Sequence, residues 1–320
     1  MSNNTTDEVA LSSASVIGLI ILNSFSIAFG TCGNILVLVS VATTASLQTV
    51  PDLFIGSLAV ADLLVVIVQQ PCLIARVTLD GSLGQTFLDV LNSIGNLSLI
   101  ASVTSMFAVT IDRLLAIQRP FRYTVLATKP RALIVIAGAW GVCALLTVMA
   151  VLLSEGESIT GRLVLWGYVS ILLVAIVLIY FYLFIVAQKH ANNIVTVQAP
   201  STTTTGNNKP VNQKQERKAA KTIAIVVGVF ITFWIPFLSF TISQASVSGT
   251  PAFMRVFYWV WSISMCNSAV NPYIYCARSI RYRRSFWRLL GRKLEEVEAS
   301  MVSRTQKEGN GEQFSSHMKN

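Results

Sequence analysis

The sequence predicts an all-α membrane protein: a bundle of seven transmembrane helices with a short amphipathic helix on the inner membrane face. Three observations carry this reading. Charged residues make up only 12% of the 320-residue chain and hydrophobic residues 53%, whereas soluble globular proteins are about 25% charged. Seven apolar stretches follow one another, each long enough to cross about 30 Å of hydrocarbon with roughly 20 residues. Lys and Arg fall almost wholly on one side of the bundle that those stretches imply. Disorder is excluded for most of the chain, because it requires low hydrophobicity and high charge. Five cysteines, an odd number in a long chain, exclude a secreted disulfide scaffold.

The spans are expected at about 16–41, 53–75, 87–117, 132–153, 163–187, 218–243 and 254–277, within a membrane domain of 16–278. In lipid the backbone must satisfy its own hydrogen bonds, so each is a helix. The runs are too long for barrel strands. Residues 1–15 form a short N-terminus without Lys or Arg. The first span exceeds a signal-peptide core, so it reads as an uncleaved anchor. Residues 188–217, with Pro200-Ser-Thr-Thr-Thr-Thr-Gly206, read as a flexible third intracellular loop. Residues 279–293 alternate Arg284 and Arg288 with Ile280, Phe286, Leu289 and Leu290, the pattern of a basic interfacial helix. Residues 294–320 read as a disordered cytoplasmic tail.

Orientation follows from charge. With the N-terminus outside, only Arg76, Arg162 and Arg255 lie outside. Arg113, Arg119, Arg122, Lys129, Arg131 and the rest lie inside, as the positive-inside rule demands. The net charge of +9 is thereby explained by topology, and a nucleic acid is not an expected partner. Asn3 and Asn4 begin two overlapping glycosylation sequons, Asn3-Asn4-Thr5-Thr6, on the outer side.

Asp62 stands near the middle of the second span. A charge there is costly and marks a functional position by default. Asn34, Ser102, Asn267, Ser268 and Asn271 lie at inner positions of other spans. Together they suit a small cation or a water network; singly they are interhelical glue. Pro236 and Pro272 interrupt spans six and seven and predict kinks.

These residues together resemble the rhodopsin-like (class A) G-protein-coupled receptor family. The resemblance covers the helical region in order: Gly33-Asn34, Leu58-Ala59-Val60-Ala61-Asp62, Asp112-Arg113-Leu114, Trp140, Phe233-Trp234-Ile235-Pro236, and Asn267-Ser268-Ala269-Val270-Asn271-Pro272-Tyr273-Ile274-Tyr275. It implies a plasma-membrane receptor with heterotrimeric G protein and arrestin as partners and an extracellular ligand. It implies no cofactor beyond an allosteric sodium ion, held by Asp62, Ser102, Asn267 and Asn271. Phe230, Trp234, Pro236 and Pro272 would form the microswitch. Asp112, Arg113, Tyr180, Glu216 and Tyr275 would govern coupling, with Arg113 locked to Glu216 in the inactive state.

The departures are specific. Leu88 stands where the family has the span-three cysteine, and the second outer loop has none, so no extracellular disulfide is expected. Leu172 replaces the span-five proline, Leu114 the usual tyrosine and Phe233 the usual cysteine. The missing disulfide, the absent span-five proline and the very short second outer loop resemble the melanocortin receptors, whereas Lys218-Ala219-Ala220-Lys221-Thr222 through Pro236 looks more like amine and adenosine receptors. Amine receptors hold an ammonium with an aspartate 18 residues before the span-three arginine, and here that residue is Gly95. Biogenic amines held in the usual way are therefore not expected. Asp89 and Arg76 either pair with each other or catch a charged ligand. Asn96, Tyr168, Phe237, Thr241, Trp261 and Ser264, with Gly95, are expected to line the ligand pocket. The competing class is a seven-helix ion transporter or channel, which one deep charge without repeats fits poorly. An enzyme is not expected: His190 and His317 are far apart, and no paired mid-membrane carboxylates occur.

Overall fold

The computed structural model describes residues 11–79, 84–153, 160–197, 228–229, 231–237, 239–240 and 251–291. Among them the elements are α1 (Ser13–Thr43), a 3₁₀ turn (Ala45–Leu47), α2 (Val50–Leu64), a π segment (Val65–Gln69), α3 (Gln70–Thr78), α4 (Gln85–Gln118), α5 (Pro120–Leu126), α6 (Lys129–Leu152) and α7 (Thr160–Val197). Helical residues of span six follow at 231–237. The chain then continues through α8 (Pro251–Met265), α9 (Asn267–Arg278) and α10 (Ile280–Leu289). The architecture is the expected all-α seven-helix bundle. Five described helices are long and apolar enough to cross a membrane, from Ser13–Thr43 to Leu163–Val186. Span six is described only in part, and span seven consists of two helices.

The chemistry of α1 shows how the bundle packs. Its inward face carries Asn23, Ser26, Gly30, Gly33, Asn34 and Ser40 beside Leu19 and Val37. Its outward face carries Ile17, Ile21, Phe25 and Phe29, all exposed. This inverts a soluble helix. Lipid solvates the large apolar side chains, while small residues let backbones approach and polar ones bond across helices. A Cβ on Gly30 would stand 2.7 Å from Val66 and 3.3 Å from the Ala269 backbone, and one on Gly33 would meet Pro272. Glycine here is a requirement of close approach between spans one, two and seven.

Span two is not one regular helix. Pro71 lacks an N–H and its ring crowds the carbonyl four residues back. The turn before it widens to a π segment, in which the Gln70 N–H reaches the Val65 carbonyl. Span four is peripheral and is tied in by Trp140, whose Nε1 donates to Ser57 Oγ at 3.0 Å. Ser57 in turn lies 3.2 Å from Ser105 of span three.

Span seven breaks at Cys266, between α8 and α9. Pro272, inside α9, cannot donate to the carbonyl of Ser268. Asn34 of α1 supplies the missing donor, with Nδ2 at 3.0 Å from Ser268 O. An orphaned carbonyl in lipid is thereby satisfied from a neighbouring span. Span five was expected over 163–187, and its apolar stretch runs over Leu163–Val186, while the helix α7 continues to Val197, ten residues into the expected loop. The amphipathic helix was expected over 279–293. It ends at Leu289, followed by Gly291 with φ of +79°, the left-handed residue that commonly closes a helix.

A pair of glycine substitutions tests this packing. Gly30→Leu should destabilise the detergent-solubilised protein by about 1–3 kcal/mol, the cost of overpacking, read as a lowered thermal midpoint. Gly138→Leu, where a Cβ meets nothing within 4 Å, should leave the midpoint unchanged or slightly raised.

Candidate functional site

The deepest polar group is Asp62, fully buried. Ser102 of span three donates to its Oδ1 at 2.8 Å, and Asn271 of span seven donates to its Oδ2 at 2.9 Å. The motif geometry explains both contacts. Asn271 precedes Pro272 on the helix that Asn34 fixes, and Ser102 sits on the inward face of α4. Asn267 is also buried, one turn from Asn271, and its Oδ1 has no hydrogen-bond partner. A carboxylate and a hydroxyl therefore meet inside the bundle, with the unsatisfied amide oxygen of Asn267 one turn along span seven from Asn271. These hard oxygen donors suit a small hard cation.

At the inner end, Arg113 donates from Nε to Asp112 Oδ2 at 3.0 Å, and its Nη2 forms a close ion pair with the same oxygen. The other carboxylate oxygen of Asp112 accepts from Tyr123 Oη at 2.7 Å. Asp112 is buried and Arg113 is 31% exposed, so the cation faces the inner surface while its partner is enclosed. Burial first, and the hydrogen-bonded Asp112 second, push the Tyr123 hydroxyl up to about 12. Tyr123 thus stays a donor throughout the physiological range. Its contribution is fully present below the ordinary tyrosine value of about 10 and is lost as pH rises toward about 12. Tyr180 receives a contact from Thr110 at 3.2 Å, while the Tyr275 hydroxyl is buried without a hydrogen-bond partner. Glu216, the expected lock partner of Arg113, lies outside the described residues, as do Phe230, Thr241, Asn3 and Asn4.

Toward the outer side the structure gathers aromatic rings. Phe237 lies 4.7 Å from Trp166, 5.2 Å from Trp261 and 5.8 Å from Trp234. Trp261 stacks on Phe257 at 5.7 Å. Phe237 and Trp261, expected to line the ligand pocket, are buried and in ring contact with each other. Two more expected pocket residues are engaged within the bundle. Tyr168 Oη lies 3.1 Å from Thr104 Oγ1, and Ser264 donates to the carbonyls of Phe233 and Val260. Asn96 is half-buried and Asp89 exposed. The Nε of Arg76 is buried without a hydrogen-bond partner. Gly95 is buried, and a Cβ there would collide with the side-chain amide of Gln69. The five cysteines carry free thiols.

The waist, the inner arginine and the proline-broken seventh span together define a seven-transmembrane receptor. Residues 33–275 match the family model described as 7 transmembrane receptor (rhodopsin family). This chain belongs to that family. It is similar to melanocortin receptor 4 of Danio rerio, 30% identical over 263 residues, which covers 79% of this chain and 78% of that receptor. It is also similar to the alpha-1D adrenergic receptor of Rattus norvegicus, 28% identical over 329 aligned positions, covering 87% of this chain and 58% of that receptor. The resemblance to both melanocortin and amine receptors agrees with the mixed motifs of the sequence.

Sequence reasoning missed several structured groups. Asp52, at the inner end of span two, is almost fully buried and accepts from Thr49, Arg281 and Tyr282. Arg281 also reaches the Ser46 carbonyl at 2.5 Å. Ser285 bonds Ser40 at 2.8 Å and contacts Thr44 at 2.9 Å. These bonds dock α10 onto span one and the first inner turn. The Tyr282 ring packs 5.8 Å from Tyr275, which joins this inner anchor to span seven. Phe121, 91% exposed, stands between Arg119 and Arg122 on the inner face. An aromatic flanked by arginines was a readable signal.

Tyr123→Phe tests how Asp112 holds the inner helix α5. A hydrogen bond to a charged group contributes about 1.5–3 kcal/mol. Amide exchange over residues 122–126 should therefore accelerate by roughly tenfold or more, with little change at residues 98–106.

Proposed function

We propose that the protein is a plasma-membrane receptor that passes an extracellular ligand signal to a heterotrimeric G protein, with the N-terminus outside. The observation that carries this is Arg113. It is a partly exposed cation at the inner mouth, held by the enclosed Asp112, with Phe121, Arg119 and Arg122 presented beside it. Such a surface suits an amphipathic partner helix that carries acidic and apolar groups. Arrestin would use the same face. The Lys and Arg distribution supports the orientation. The ion-transporter alternative gains nothing from the relatives, both of which are receptors by name.

The mechanism is a two-state bundle whose equilibrium is biased from both sides. In the inactive state Asp112, and Glu216 from the base of span six, hold Arg113. Outward movement of span six about Pro236 releases Arg113 toward the partner. Tyr275, whose buried hydroxyl lacks a partner here, and Tyr180, whose hydroxyl meets Thr110, then support it. Trp234 and Phe230, beneath the outer aromatic cluster, couple ligand contact to the kink, and Pro272 gives span seven its own hinge. Asp62, Ser102, Asn267 and Asn271 would hold a sodium ion, and the unsatisfied Asn267 oxygen fits that role. When bound, the ion would neutralise the buried carboxylate and favour the state in which those side chains are gathered.

Two substitutions test the proposal, read as G-protein dissociation in cells at matched surface expression. Arg113→Ala should abolish signalling above the mock-transfected level. Glu216→Ala should raise basal signalling, and a lost interaction of about 1 kcal/mol shifts the equilibrium about fivefold. Unchanged signalling in Arg113→Ala contradicts the coupling role, and unchanged basal activity in Glu216→Ala contradicts the lock.

A further inference from the structure

The side chain of Gln69 is unexplained by anything above. It closes the π segment of span two, is 9% exposed, and its Oε1 is buried without a hydrogen-bond partner. Its amide fills the space that any side chain at position 95 would need, since a Cβ on Gly95 would collide with it. The missing span-three side chain is thus replaced by an amide reaching across from span two. Native proteins rarely leave such a group unsatisfied, because burying an amide without partners is costly. Gln70 also has a buried Oε1 without a partner, but its Nε2 donates to Ser26 of span one at 2.8 Å, so consecutive glutamines address different neighbours.

Arg76 lies seven residues beyond Gln69. The chain between them is α3, a regular helix, so seven residues make nearly two turns. Arg76 therefore stands on the same face, about 10 Å nearer the outer surface. It too has a buried Nε without a partner. One face of span two then presents two unsatisfied groups in line, a neutral amide at depth and a guanidinium near the mouth.

We propose that Gln69 and Arg76 are the two polar poles of the ligand site, and that they select an organic carboxylate bearing an uncharged hydroxyl or amide about 10 Å from its charge. This rests on the receptor reading above and names its ligand class. A guanidinium pairs with carboxylate in bidentate geometry. A neutral amide both donates and accepts, yet gives no charge to offset a buried ammonium. The ligand's uncharged end would meet Gln69 and its acid would meet Arg76.

The test uses purified full-length receptor in detergent and three matched probes: ω-hydroxydecanoic acid, its methyl ester, and the corresponding amino alcohol. The acid should raise the thermal midpoint saturably, and the ester and amino alcohol should not. Arg76→Gln and Gln69→Leu should each weaken the apparent Kd for the acid by about tenfold or more. A packing control accompanies them. Gly95→Ala should lower the midpoint of the wild type and be tolerated in the Gln69→Ala background, because its Cβ displaces the glutamine. Equal shifts with ester or amino alcohol, no shift with the acid, or an equal Gly95→Ala cost in both backgrounds would overturn the assignment. The midpoint reports binding whether or not a G protein couples. A ligand shift without signalling would therefore count against the coupling proposal and leave this site standing.

Discussion

A carboxylate placed at the centre of a membrane bundle has to be answered by its neighbours. Asp62 is fully enclosed, and the groups that meet it come from two other spans, Ser102 from span three and Asn271 from span seven. The desolvation of one acid thus fixes the relative depth of three helices. The same logic extends outward. Asn34 of span one completes the carbonyl that Pro272 leaves open, and glycines at 30 and 33 let span one come close enough to do so. Apolar contacts between helices do not discriminate strongly against lipid. In this bundle the specific information lies in polar bonds and small residues.

The inner face repeats the pattern with charge. Asp112 gathers Arg113 and Tyr123, while Asp52 gathers Thr49, Arg281 and Tyr282. Each acid is buried and each arginine is partly exposed. The two clusters fasten the helix after span three and the helix after span seven. Burial and the Asp52 charge raise the Tyr282 hydroxyl well above its usual range, so it persists as a donor. Tyr282 packs on Tyr275, which connects the interfacial helix to the span whose proline break surrounds Asp62.

Much of this was legible in the chain. Long apolar runs gave the spans, because lipid permits no other backbone solution. The resemblance to the receptor family gave Asp62 with Ser102 and Asn271, and Asp112 with Arg113. What escaped had longer physical roots. Pro71 was visible, but a proline can kink, widen or be tolerated, and the π turn depends on what surrounds it. Gly95 read as the absence of an acid, and only packing shows that Gln69 takes its place. Asp52 escaped because its partners Arg281 and Tyr282 lie more than two hundred residues away. The helix after span five outran its apolar stretch because helical geometry outlasts hydrophobicity.

The account depends on Asp62 as the point where the state of the bundle is set. The most direct measurement is G-protein nucleotide exchange by receptor in lipid nanodiscs, with sodium titrated against an inert cation at constant ionic strength. The account predicts that sodium lowers basal exchange by wild type and has no effect on Asp62→Asn. An equal sodium response in both proteins would contradict it.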